Sequence, residues 1–163
     1  MARRVFNSFH YAADVHRVSQ IRQMGAIEGQ RVLSSNEWET VKQGGDSAVK
    51  KWIDEQMAGK SCNVVLVGSG TAGRKWVNYE IKKAWNDKRG LVGVYIHGLK
   101  NLGGEQASKG ANPFVDFTVE GKALSSIVKA YDPPYASSKS VYDYIKSNLA
   151  AWVEEAIEIR AKY

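Results

Sequence analysis

The residues best suited to chemistry lie together at positions 64–81, in the stretch VVLVGSGTAGRKWVNYEI. Gly68, Gly70 and Gly73 have the G-x-G-x-x-G spacing of a dinucleotide-binding turn. Glu80 follows them within a predicted helix and could supply a carboxylate to a reacting sugar. The stretch is therefore a candidate for holding a dinucleotide, for cleaving one, or for forming only a tight turn.

The position of the glycines favours a structural turn over a Rossmann site. The Rossmann motif follows the first strand of its unit, whereas this one follows the third predicted strand. No acidic residue ends the next strand, at Tyr95-Ile96-His97-Gly98, to hold a ribose. A phosphate-accepting receiver domain needs an aspartate where Ser69 stands. Because His10, His16 and His97 lack metal-ligand spacing, we also predict no metal site.

Glu80 borders the apolar face of its predicted helix. Trp76 precedes it by one helical turn, and Val77 and Ala84 flank it on the side that packs on the sheet. We expect such a carboxylate to be partly desolvated and its proton affinity to be raised. The alternative is a structural glutamate that reaches solvent or pairs with a neighbouring cation, namely Arg74, Lys75 or Lys83.

Alternating strands and helices must position these residues. The pattern predicts an α/β fold, a flavodoxin-like doubly wound parallel sheet with strand order 2-1-3-4-5. Strands are expected at residues 3–9, 31–33, 63–68, 91–96 and, as an edge strand, 114–119. Helices are expected at 14–24, from a Ser34/Glu37 capping box towards 42, from a cap at Asp46, after the glycine turn, and from a cap at Ser140 and Asp143.

The predicted strand order places the ligand site before any motif is considered. The order reverses between strands 1 and 3, and ligands of such sheets bind beyond the carboxyl ends of the strands at that point. Ser8, Phe9 and His10 end the first strand, and Ser69 follows the third. We therefore expect these two segments, sixty residues apart, to line one crevice.

Composition predicts a single globular domain over residues 1–163. Hydrophobic residues make up 44% of the chain, and its one cysteine, Cys62, opens an apolar run typical of a buried strand. The net charge of +6 is spread along the chain, which favours solvated helix faces or a small phosphate-bearing ligand over nucleic acid. We see neither a signal peptide nor a membrane-spanning run and expect a cytoplasmic protein without membrane partners.

Four segments, taken in order, resemble one known family. RRVFNSFHY, VVLVGSGTAGRKWVNYEI, GVYI and GANPF are together similar to the TIR-like domains of the Thoeris antiphage defence systems, within the Toll/interleukin-1 receptor superfamily. The resemblance covers residues 3 to about 114. It implies an enzyme that cleaves NAD between nicotinamide and ribose and makes ADP-ribose isomers, some cyclic, as signals.

The resemblance also implies site residues and partners. Glu80 corresponds to the catalytic glutamate, and NAD is the substrate, so no separate cofactor is expected. The implied partners are an effector that receives the diffusible nucleotide, a phage trigger, and further copies of the chain. The residues expected to bind substrate are Ser8, Phe9, His10, Ser69 and Trp76.

Two other classes of function stay open on the sequence. A non-enzymatic TIR-type adaptor would use the same surfaces for assembly, and a dinucleotide-binding module would use the glycine turn. Release of nicotinamide from NAD separates the enzyme from both.

Overall fold

The computed structural model describes residues 2–163 as a sheet covered by helices on both faces. Its seven strands are β1 (Arg3–Ser8), β2 (Ile27–Glu28), β3 (Cys62–Val67), β4 (Gly90–Tyr95), β5 (Thr118–Val119), β6 (Lys122–Ala123) and β7 (Ala130–Tyr131). Five of them form a parallel sheet in the order β2-β1-β3-β4-β7, while β5 and β6 pair as an antiparallel hairpin. This confirms the predicted fold and strand order.

Four α-helices lie in the connections between the first four parallel strands, and a fifth follows β7. They are α1 (Tyr11–Gln23), α2 (Ser35–Gln43), α3 (Gly45–Met57), α4 (Lys75–Asn86) and α5 (Ser138–Ala161). Residues from α1 and α5 pack on one face of the sheet, and residues from α3 and α4 pack on the other. Among residues 2–163, no helix combines the length and the apolar character needed to cross a membrane.

The centre of the sheet explains the two apolar runs in the sequence. All residues of β3 and β4 are buried, because β3 lies between β1 and β4 and helices cover both faces. Cys62 is fully buried at the start of β3, as predicted, and burial raises the pKa of its thiol to about 12. The register places Val65 opposite both Ser8 and Gly93, so the carboxyl end of β1 lies against β3.

The second strand is shorter and earlier than the sequence predicts. We expected residues 31–33, whereas β2 is Ile27–Glu28. The side chain of Gln30 takes over the ladder, since its Oε1 accepts from Asn7 N at 2.8 Å and its Nε2 donates to Asn7 O at 2.9 Å. Because a side-chain amide satisfies the edge of β1 there, the backbone after Gln30 is free to leave the sheet.

The predicted edge strand is also wrong. The edge is β7, paired with β4, and residues 118–119 instead form the β5–β6 hairpin. Phe114, the first residue of the predicted strand, is fully buried beside Gly93. Its ring fills space left by the missing side chain of that glycine, so the segment packs over β4 rather than pairing with it.

Helix starts show where local sequence signals hold. The Ser34/Glu37 capping box is present in both directions, with distances of 3.2 and 3.0 Å. Helix α3 begins at Gly45, so Asp46 lies in the first turn and pairs with Lys75 rather than capping. Helix α5 is capped by Ser137, whose Oγ accepts from Ser140 N, and Asp143 pairs with Lys139. Helix α1 begins three residues before the predicted Asp14.

Candidate active site

A cavity of about 370 Å³ opens at the carboxyl end of β1. It lies between the first turns of α4 and the segment that joins β2 to α2. This is the place where the strand order reverses, as topology predicted. Its wall combines aromatic rings, four basic side chains and one carboxylate, that of Glu80.

Most of the predicted site residues meet in this cavity. Phe9, His10, Trp76 and Glu80 all line it, although the first two directly follow β1 and the other two lie on α4. Ser8 is fully buried and does not line the cavity. Ser69 lies exposed in the turn after β3, outside the cavity wall. No bound ligand tests these roles, so they stay predictions.

Glu80 is a buried carboxyl without an opposite charge. Its residue is only 7% exposed, between Val77 and Ile81 on the packed face of α4. Burial raises the pKa of this carboxyl from 4.5 to about 8. The hydroxyl of Ser8 opposes part of that rise in pKa, although Ser8 Oγ makes no hydrogen bond of standard geometry.

The cations that the sequence offered as partners for Glu80 are engaged elsewhere. Arg74 Nε donates to Gly70 O at 2.9 Å. Lys75 pairs with Asp46. Lys83 Nζ lies 3.7 Å from an Asp54 oxygen and 3.0 Å from an Asp87 oxygen. The structural alternative of an ion-paired glutamate is therefore wrong among the described residues, and the carboxyl faces the cavity.

Trp76 forms a fixed aromatic wall one turn before Glu80. Tyr79 packs against its ring edge-on, with centroids 5.9 Å apart, and Lys75 Nζ lies 4.9 Å from its centroid. Both neighbours lie on α4, and Asp46 on α3 holds Lys75 in place by an ion pair. A ring fixed in this way offers a planar surface at low entropic cost.

Comparison with known proteins identifies the family of this chain. Residues 6–101 match the family described as "Thoeris protein ThsB, TIR-like domain". This chain belongs to the Thoeris TIR-like family. A relative from Bacillus cereus (strain MSX-D12), named "Putative cyclic ADP-D-ribose synthase ThsB1", is 34% identical over 137 residues. That alignment covers 76% of this chain and 69% of the relative.

The glycine turn of this Thoeris TIR-like protein has a structural explanation. Gly73 adopts φ +82°, a conformation that side chains rarely tolerate. A Cβ on Gly68 would lie 2.0 Å from Asp14 Oδ2, so only glycine fits there. Gly70 has neither constraint, since a Cβ there would meet Arg74 at 3.5 Å. Gly73 is thus required by the backbone conformation of the turn, and Gly68 by the packing of Asp14 against it.

A buried ion pair between Asp14 and Arg17 packs against the glycine turn. Asp14 packs on Gly68 and accepts from Arg17 Nη1 at 3.0 Å, with both side chains at most 5% exposed. Arg17 also donates to Leu99 O at 2.8 Å and to Glu105 O at 3.0 Å. This pair joins α1 to the segments after β3 and β4 in the TIR-like fold, and the sequence analysis did not identify it.

The sequence analysis also missed one wall of the cavity. Tyr11 stacks between Phe9 and Trp38, with centroid distances of 6.2 and 6.3 Å, and Trp38 contacts Trp52 edge-on at 5.9 Å. All four rings line the cavity. Trp52 lies on α3, and no local sequence pattern distinguishes a tryptophan in the core from one in a cavity wall.

His10 is a second titratable residue that lines the cavity with Glu80. Burial and the charge of Arg74 lower the pKa of His10 below 6.5, so its imidazole is neutral at pH 7. Its Nδ1 is buried and has no hydrogen-bond partner among residues 2–163. Within the same residues, no three His, Cys, Asp or Glu side chains converge to hold a metal ion.

Proposed function

We propose that this Thoeris TIR-like protein cleaves NAD between nicotinamide and ribose and forms an ADP-ribose-derived signalling nucleotide. The observation that carries the proposal is the buried, unpaired carboxyl of Glu80, which faces a cavity walled by Phe9 and Trp76. The name of the Bacillus cereus relative, "Putative cyclic ADP-D-ribose synthase ThsB1", supports a cyclic product.

Cleavage of the bond between nicotinamide and ribose needs little acid catalysis, but it needs electrostatic stabilisation of the positive charge that develops on the ribose. When the C1′–N bond breaks, its electron pair stays with the ring nitrogen, and nicotinamide leaves as a neutral molecule. The ribose is left with oxocarbenium-like positive charge, which the Glu80 carboxylate stabilises. Attack by a second nucleophilic group of the same molecule closes a cyclic product, whereas attack by water gives ADP-ribose; a hydroxyl or water nucleophile loses a proton.

The raised pKa of Glu80 couples binding to ionisation. With a pKa of about 8, the carboxyl is mostly protonated in the free protein at pH 7. The pyridinium ring of NAD brings a positive charge into the cavity, which favours the carboxylate and lowers this pKa. Substrate binding therefore generates the charge that the transition state needs, and it releases the Glu80 proton.

The aromatic residues would orient the leaving group. Phe9, which follows β1, and Trp76, on the same helix as Glu80, both line the cavity, and each ring can stack on a planar group. Because His10 is neutral, it adds no charge that would repel the pyridinium. NAD is the only small molecule that the reaction requires, and no separate cofactor takes part.

The signalling role extends the proposal to partners. The nucleotide would diffuse to an effector protein, and phage infection would trigger its synthesis. By analogy with the family, further copies of the chain would complete the cavity by self-association. These partners follow from the family and are proposals for this chain.

The test compares wild type with Glu80→Gln in NAD turnover. Nicotinamide release is followed by chromatography and the product by mass spectrometry, in purified protein and in phage-challenged cells. Glutamine preserves size but removes the charge, so we expect turnover to fall about 100-fold, a loss of roughly 3 kcal/mol of transition-state stabilisation.

Glu158→Gln is the matched control, because Glu158 is exposed on α5. It should turn over NAD at the wild-type rate. Equal rates for wild type and Glu80→Gln would refute the catalytic role of Glu80. Absence of nicotinamide release in challenged cells would instead favour a non-enzymatic assembly module.

A further inference from the structure

The cavity has four basic side chains at its wall, and they are not equivalent. Three of them have an acidic partner within ion-pairing distance: Arg31 with Glu37 at 2.7 Å, Lys42 with Glu39 at 2.9 Å, and Lys75 with Asp46. Arg74 lines the same cavity, and within residues 2–163 it has no ion pair. The cavity therefore carries one uncompensated positive charge at a defined place.

The guanidinium of Arg74 is held in position by the backbone. Arg74 immediately precedes α4, and its Nε donates to Gly70 O at 2.9 Å. Its two Nη atoms make no hydrogen bond to any other described residue. The guanidinium thus has its orientation fixed at one nitrogen and keeps its paired donors free, which suits a bidentate oxyanion.

The spacing between Arg74 and Glu80 matches a nucleotide. Helix α4 starts at the carboxyl edge of the sheet, so Arg74 lies at the mouth of the cavity and Glu80 lies deeper. The two residues are six positions apart, which is roughly 9 Å along a helix axis. A ribose 5′-phosphate joins its anomeric carbon to phosphorus through a few bonds, and it can therefore span part of the distance between a group at Glu80 and one at Arg74.

We propose that Arg74 binds the diphosphate of the substrate and makes the protein select a dinucleotide over a nucleoside. This inference rests on the proposed function, because it places the reacting ribose at Glu80. The other three cations do not serve in its place, since each already has an acidic partner. The bound oxygens are those of the phosphates, not the amides of the glycine turn.

The first experiment measures binding without catalysis. Isothermal titration calorimetry with ADP-ribose is performed on wild type, Arg74→Gln, Arg74→Lys and Lys42→Gln. Loss of a charged hydrogen-bonded contact should weaken ADP-ribose binding by about 10- to 100-fold in Arg74→Gln. Arg74→Lys should retain part of the affinity, because a lysine keeps the charge but not the paired donors.

Lys42→Gln is the matched control, since it removes the same charge from the same cavity but from a residue paired with Glu39. It should bind within about threefold of wild type. Equal affinities for wild type and Arg74→Gln, equal losses in Arg74→Gln and Lys42→Gln, or no ADP-ribose binding by wild type would each overturn the proposal.

The second experiment measures substrate selection. Arg74→Gln should lower kcat/KM for NAD by about tenfold or more while leaving kcat/KM for nicotinamide riboside, which has no phosphate, within about twofold. A parallel loss for both substrates would show a structural role and overturn the proposal. If Arg74→Gln loses ADP-ribose binding but no variant or wild type cleaves NAD, the proposed reaction fails and the phosphate site stands.

Discussion

Removing the Glu80 charge should change how stability depends on pH. The folded-state pKa of this carboxyl is about 8, against 4.5 as its ordinary value, because burial disfavours the charged form. The folded protein thus binds the Glu80 proton more tightly than the unfolded chain. Stability from this group is complete below pH 4.5 and is lost as the pH rises to about 8.

The size of this change in unfolding free energy follows from the difference between the folded and unfolded pKa values of Glu80. One pKa unit corresponds to 1.36 kcal/mol, so between pH 5 and pH 8 wild type should lose about 4 kcal/mol of unfolding free energy through Glu80 alone. Glu80→Gln has no proton to lose. Relative to wild type it should therefore gain about 1.4 kcal/mol per pH unit across this window. That is a large fraction of the stability of a typical domain.

The assay is urea denaturation at pH 5, 6, 7 and 8, followed by far-ultraviolet circular dichroism. Any constant effect of burying an amide cancels when the difference between variant and wild type is compared across pH. Glu158→Gln, at an exposed position, should track wild type throughout. Parallel curves for wild type and Glu80→Gln would refute the buried, unpaired carboxyl from which this reasoning starts.

Three further results are expected. Gly73→Ala should destabilise the protein by about 1–2 kcal/mol in urea denaturation because φ at Gly73 is positive, whereas Gly70→Ala should stay within about 0.5 kcal/mol; similar losses would contradict the assigned turn geometry. The kcat/KM for NAD should rise with pH and level off above about 8, as the free Glu80 carboxyl ionises; a profile flat from pH 6 to 9 would exclude its carboxylate as the reacting form. Specific activity should increase with protein concentration if copies complete the cavity, and a constant value from nanomolar to high micromolar would argue against self-association.

The buried position of Glu80 destabilises the charged form of its carboxyl, as is typical of a residue with a functional role. A residue selected only for stability would not be buried without an opposite charge, since an uncompensated carboxylate is costly in the interior. Charged groups held in this way concentrate at functional sites, where the raised pKa is part of the chemistry. The packing of Val77 and Ile81 around Glu80 supplies the burial.

The sequence by itself determined the parallel sheet and the place of Glu80 on its helix. The apolar runs at β3 and β4 fixed the middle of the sheet, because only strands covered on both faces are continuously apolar. Their alternation with helices gave the strand order, and the order located the site at the end of β1. Helical spacing placed Glu80 beside Trp76 on the packed face of α4.

Only the tertiary structure decided what surrounds that residue. Local patterns do not show that the side chain of Gln30 pairs with the edge of β1 beyond the end of β2. They also do not show that Arg17 joins three segments, because both sets of contacts link residues far apart in sequence. The same holds for Trp38, which resembles any helix residue until it meets Tyr11 in the cavity wall.

Which charged side chains form ion pairs also depends on the tertiary structure. Arg31 and Arg74 are equivalent in composition, yet Arg31 is neutralised by Glu37 and Arg74 has no acidic partner within the described residues. The raised pKa of Glu80 likewise depends on Lys75 and Lys83 pairing with other acids. Electrostatic interactions depend on distance in space, which the sequence constrains only within a helix or a turn, so this part of the site required the folded chain.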